Sequence, residues 1–85
     1  MHEMSVAMEI ARIAETKLGR SSPQLTAVAV DVGDDAGIEP WSLEFCLEAV
    51  LATPPFRGAR PHILRCPGDV LQVAWLEVDD ERPAD

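Results

Sequence analysis

Eighty-five residues make one domain, and a chain of that size buries only roughly 60–65% of its unfolded surface, so the core is thin. With 15 acidic against 7 basic residues the formal charge is −8, which argues against nucleic acid and anionic membrane surfaces as partners. A cationic partner, a divalent metal or a solvated acidic surface all remain compatible with it. The apolar fraction of 47% suits a globular fold, and no run reaches the ~18–20 apolar residues of a membrane span. Two cysteines, Cys46 and Cys66, form no CxxC pair and cannot build a four-ligand zinc site alone. No secretory leader pattern opens the sequence, so the expected location is the cytoplasm, with both thiols reduced.

Residues 4–18 read as a helix. Ala7, Ile10, Ala11, Ala14 and Leu18 keep the three-four spacing of one face, Val6 and Ile13 widen it, and Glu9, Arg12, Glu15 and Lys17 are left for water. Gly19 is the expected stop, and the Ser21-Ser22-Pro23 stretch continues the break. Residues 25–32 read as a strand with one apolar side, Val28, Val30 and Val32, and with Ala27, Ala29 and Asp31 on the other. Gly33-Asp34-Asp35-Ala36-Gly37 is a loop, its two aspartates read as turn residues.

Glu39-Pro40 opens a second helix, since proline is favoured at the first helical position. Leu43, Leu47, Val50 and Leu51 are its inward stripe, Glu44 and Glu48 lie outside, and Thr53-Pro54-Pro55 ends it. Residues 60–66 and 71–78 are two further strands. Pro67-Gly68-Asp69 between them is a tight turn signal, so these strands are expected to pair as an antiparallel hairpin. The alternation in the last strand changes phase around Trp75, which predicts a β-bulge there. The acidic, proline-containing tail is expected to fray. The fold class is therefore α+β, with two helices packed on one face of a three-stranded sheet in the order α-β-α-β-β.

Several segments together resemble the HypA/HybF family, the nickel metallochaperones of NiFe-hydrogenase maturation. Met1-His2-Glu3-Met4-Ser5 is similar to the family's opening. Val30-Asp31-Val32-Gly33, Ala36-Gly37-Ile38-Glu39-Pro40 and Leu43-Glu44-Phe45 resemble its strand, loop and second helix, and Gly58-Ala59-Arg60 its approach to the next strand. Gly68-Asp69-Val70-Leu71-Gln72-Val73, with Leu76-Glu77-Val78, resembles its closing strand. The likeness covers most of residues 1–80, which read as a HypA-like nickel-binding domain, with 81–85 as an acidic C-terminal tail. Family members carry a zinc domain of two CxxC pairs between the last two strands. Here the chain runs directly through Pro67-Gly68, and a single Cys66 cannot hold zinc, so no zinc is expected.

The resemblance implies a Ni(II) site at His2 and Glu3, with a nearby carboxylate at Glu39. The chemistry of the tripeptide agrees with it. Ni(II) in a tetragonal site favours nitrogen and oxygen donors. The His2 imidazole, the Met1 amine and the backbone nitrogens of His2 and Glu3 are spaced for chelate rings. Imidazole serves zinc and copper as well. The helix dipole disfavours a cation at this end, which should keep binding moderate. Imidazole must be neutral to bind, so affinity should fall in acid.

Each residue also has a plainer reading. His2 alone is a solvated terminal residue, and Glu3 suits the positive end of the helix dipole without any metal. His62 reads as a surface or edge residue, Cys46 as a small buried side chain, and Cys66 as an exposed strand-end thiol. Trp41 and Trp75 read as packing residues, and either one exposed would mark a partner surface. No nucleophile-base set, glycine-rich phosphate loop or positioned acid pair is present, so the chain does not read as an enzyme. The expectation is a metallochaperone delivering Ni(II) for hydrogenase maturation. The resemblance implies a HypB-like GTPase and a hydrogenase large subunit as partners, with a homodimer also open. The competing reading is an adaptor or assembly subunit that binds protein partners without metal.

Overall fold

The computed structural model describes residues 2–19 and 24–79. Five elements follow in the predicted order: α1 Glu3–Leu18, β1 Gln24–Gly33, α2 Pro40–Leu51, β2 Arg60–Cys66 and β3 Leu71–Asp79. The α+β architecture read from the sequence is the one observed. The helix-spacing residues Val6, Ala7, Ile10, Ala11 and Ala14 are the buried residues of α1. Gly19 ends that helix with φ +77°, its N–H donating to the Glu15 carbonyl at 3.1 Å, where a left-handed conformation suits glycine. In α2, Leu43, Leu47 and Leu51 are fully buried and Val50 packs half-buried against them. Alanines on the α1 face let the two helices lie close together.

The sheet corrects the expected strand pairing. Its order is β2-β1-β3, with β1 parallel to β2 and antiparallel to β3. No β2–β3 hairpin forms. Instead residues 67–70 stride across the end of β1. There the Gly33 N–H donates to the Val70 carbonyl at 2.6 Å, Asp34 N–H to Cys66, and Asp35 N–H to Gly68, both at 2.8 Å. The cause is burial. A strand apolar on one side only can lie at an edge, but Leu25, Ala27, Val28, Ala29, Val30 and Val32 are all buried, so β1 needs cover on both faces and a neighbour at each side. Proline cannot donate to a ladder, so Pro61 confines β2 to an edge. A parallel pair also needs a crossover of a dozen or more residues, which α2 supplies between β1 and β2.

Val28, Val30 and Val32 face the helices and join the core with Leu43, Leu47 and Phe56. Ala29 lies on the other face, which carries no helix. It is buried by its two strand neighbours, His62 on β2 and Trp75 on β3. Their rings meet over it with centroids 5.5 Å apart. The expected bulge is present: the register jumps from Ala29↔Trp75 to Val30↔Val73, leaving Ala74 as the extra residue and turning Trp75 to the outer face. Trp41, read as a core or interface residue, lies outside the core, 71% exposed on α2, with Phe45 one turn on at 69%. No helix among the described residues is long and apolar enough to cross a membrane. The tail at 80–85 lies outside the described residues.

Candidate metal centre

The site is assembled from the starts of both helices. His2 is the N-cap of α1, with extended backbone (φ −92°, ψ 129°), and its carbonyl accepts the first helical bond from Val6 N–H at 3.2 Å. Its imidazole is exposed and makes no capping bond. Glu39 is the N-cap of α2, its carbonyl taking the Leu43 N–H at 3.0 Å, and its carboxylate likewise makes no capping bond. Pro40 sits at the start of α2 as the sequence requires.

Neither cap residue is one of the strong capping types, so both helix starts keep unsatisfied N–H groups. Glu3 supplies the missing acceptor for one of them. One carboxylate oxygen accepts the Glu39 N–H at 3.2 Å, and the other lies 3.5 Å from the Ser42 hydroxyl, at the limit of a hydrogen bond. The Glu39 N–H is the main reason the Glu3 carboxyl is held below the ordinary carboxylate value. Its own backbone N–H adds to the shift and partial desolvation opposes it. Glu3 is therefore an acidic first-turn residue of α1 that also serves α2.

His2, Glu3 and Glu39 thus come to one end of the helix pair. The Glu3 carboxylate is turned toward α2 rather than toward the imidazole. No three His, Cys, Asp or Glu side chains converge on a common centre among the described residues. Met1 lies outside the described residues. The described groups at this end that could donate to a metal are the uncapped, exposed His2 imidazole and the Glu39 carboxylate, which also makes no capping bond.

The other sequence candidates lie elsewhere. His62 is on the helix-free face of the sheet. Cys46 and Cys66 are free, half-buried thiols, on α2 and at the end of β2. Asp34 and Asp35 are turn residues, as read, and Asp34 also faces the Arg65 guanidinium at 3.4 Å. The link that sequence reasoning missed is Glu3 to Glu39 and Ser42. Its signal was an α2 start with proline but no serine, threonine or aspartate cap, which leaves an N–H in need of an outside acceptor.

Residues 1–71 match the family described as "HypA: Hydrogenase/urease nickel incorporation, metallochaperone, hypA". The relatives in Geobacter metallireducens, Geobacter sulfurreducens and Azotobacter vinelandii each bear the name hydrogenase maturation factor HypA. They are 38%, 39% and 38% identical to this chain over 68, 69 and 69 residues, each alignment covering 80% of it. The chain spans about 60% of the length of these curated relatives. No solved structure matches.

Proposed function

This chain belongs to the HypA family of hydrogenase and urease nickel-incorporation proteins, and from that premise we propose that it binds Ni(II) at its amino terminus and hands it on during hydrogenase maturation. Met1 contributes its amine, His2 its imidazole and backbone nitrogen, and Glu3 its backbone nitrogen. Glu39 provides a carboxylate close by. The observation that carries this reading is the state of His2: exposed, free of any capping bond, and set at the N-cap of α1.

The Glu3 carboxylate then acts as a positioning group. By bonding to the start of α2 it holds the backbone of residues 2 and 3 against the platform, so the donors keep one geometry while the imidazole stays accessible. Two helix N-termini point their positive ends at the site, which weakens the hold on a cation. A protein that must release its cargo gains from that. Residues 1–80 form the metal-handling unit, in the cytoplasm, and the exposed Trp41 and Phe45 on α2 offer a surface to a HypB-like GTPase or a hydrogenase large subunit.

Calorimetric nickel titration of untagged protein tests the reading, beside the same titration of His2→Ala and of an amino-terminally tagged form. One Ni(II) per chain should bind to the unmodified protein, and both changes should abolish or strongly weaken it. Undiminished binding by His2→Ala would reject the site.

A further inference from the structure

Outside the amino-terminal site, the arginines among the described residues are unevenly used. Arg12 is bound by Glu9 and Arg65 faces Asp34. Arg57 and Arg60 have no carboxylate within ion-pairing distance among the described residues, and both line the same depression with His62. The depression, about 420 Å³, lies where the α2–β2 connection meets the strands. Its floor is Ala27, whose strand partners are Arg60 on one side and Glu77 on the other.

The backbone at Arg57 is a second observation. It has φ +52°, followed by Gly58 at φ +88°. A left-handed conformation costs free energy at any residue with a Cβ, and such strain is retained where a position has a task. Glycine would take the Arg57 position more readily, yet the chain carries a guanidinium there, at the rim of a depression that already holds another.

We propose that Arg57, Arg60 and His62 form a binding site for a phosphate group carried by a small organic molecule. Guanidinium forks match phosphate oxygens in bidentate geometry, and two of them balance a phosphate dianion better than a single carboxylate. His62 adds a ring N–H donor. The space exceeds that of one phosphate and falls within the range of small-ligand sites, which leaves room for an organic body. Glu77 lines the opposite wall, where its carboxylate lies 3.3 Å from the Thr26 hydroxyl. It opposes an anion and keeps the affinity modest. This site is separate from the amino-terminal one and does not depend on nickel.

The test is an NMR titration of the whole chain with ribose 5-phosphate and, separately, inorganic phosphate. Shifts should concentrate at residues 57–62, with a Kd on the order of 1 mM or tighter. Tighter binding of ribose 5-phosphate than of inorganic phosphate assigns the site to an organic phosphate. Equal binding assigns it to the free ion and overturns the organic part of the proposal. Arg60→Gln should weaken binding roughly 10-fold, as the loss of a charge-assisted bond requires. Glu77→Gln should tighten it. Arg57→Gly keeps the backbone conformation while removing the guanidinium, so it should remain folded and bind more weakly. Binding left unchanged by Arg57→Gly and Arg60→Gln, or shifts scattered away from residues 57–62, overturns the site.

Discussion

The Glu3 carboxylate accepts the backbone N–H of Glu39, 3.2 Å away and 36 positions along the chain, and so joins the starts of the two helices. That bond explains why a helix lacking a strong cap of its own still begins in a fixed place. It also ties the first residue of α1 to the start of α2.

A pH dependence follows from this contact. The Glu3 carboxyl is lowered from its ordinary value of 4.5 because the charged form accepts the Glu39 N–H. A depressed native value means that the folded state favours the ionised group. Its stabilisation is therefore complete above 4.5 and is lost as pH falls through the lower native value. Glu3→Gln should melt below the parent near neutral pH. The gap between the two melting temperatures should narrow as the pH drops below 4.5, and a gap that stays constant there would disconnect the charge from the effect.

Gly33 carries a second prediction. A Cβ added there would lie 2.2 Å from the Gly68 carbonyl oxygen and 2.6 Å from the Val70 nitrogen, both backbone atoms. Neither can swing aside as a side-chain end would. Gly33→Ala must shift the crossing loop or β1 itself, and should cost about 1–3 kcal/mol, the range for overpacking a tight site. Urea denaturation reads this directly. Gly37→Ala is the comparison: it has open space around its Cβ but a left-handed backbone, so its cost is conformational rather than steric.

These two contacts also mark where the sequence was readable and where it was not. Local spacing is enough to see α1, because Ala7, Ile10, Ala11 and Ala14 recur on one face, and to see α2, because Pro40 and Leu43–Leu47–Leu51 mark its start and stripe. The bulge was visible too, as a change of phase at Trp75. Sheet order was not visible in that way. Pro67-Gly68 reads as a hairpin turn, and only Gly33, with no Cβ to block the loop, allows the same residues to cross the end of β1. Pro61 held the contrary signal, since a strand with proline belongs at an edge. For the metal donors the resemblance implied Met1, His2 and Glu3 with a carboxylate at Glu39, and Met1 lies outside the described residues. The direction of the Glu3 carboxylate depends on a tertiary contact that no local pattern encodes.

Packing between the helices leads to a third prediction. Ala7 follows Glu3 by one turn on the same face of α1 and is fully buried. Ala7→Leu adds three carbons where α1 approaches the platform, which should destabilise the fold by about 1–3 kcal/mol. By moving the first turn outward it should also loosen the Glu3–Glu39 bond. Nickel affinity should fall with stability even though no donor has been altered. A variant that loses stability but binds nickel as before would show that the donors do not need the platform.

The fourth prediction concerns partners. Trp41 and Phe45 are one helical turn apart on α2, 71% and 69% exposed, and neither contributes to the core cluster. Removing them should therefore leave stability within about 0.5 kcal/mol of the parent. Large aromatic side chains supply much of the energy where they are buried in an interface, often 2 kcal/mol or more each. Trp41→Ala with Phe45→Ala should keep the melting temperature and the nickel stoichiometry while weakening capture of a HypB-like GTPase at least 30-fold, the equivalent of about 2 kcal/mol. Because the chain carries −8 charge, raising salt should slow association with a cationic partner face and leave an apolar contact largely intact. Binding that survives both substitutions and collapses with salt would move the contact from this aromatic pair to the acidic surface.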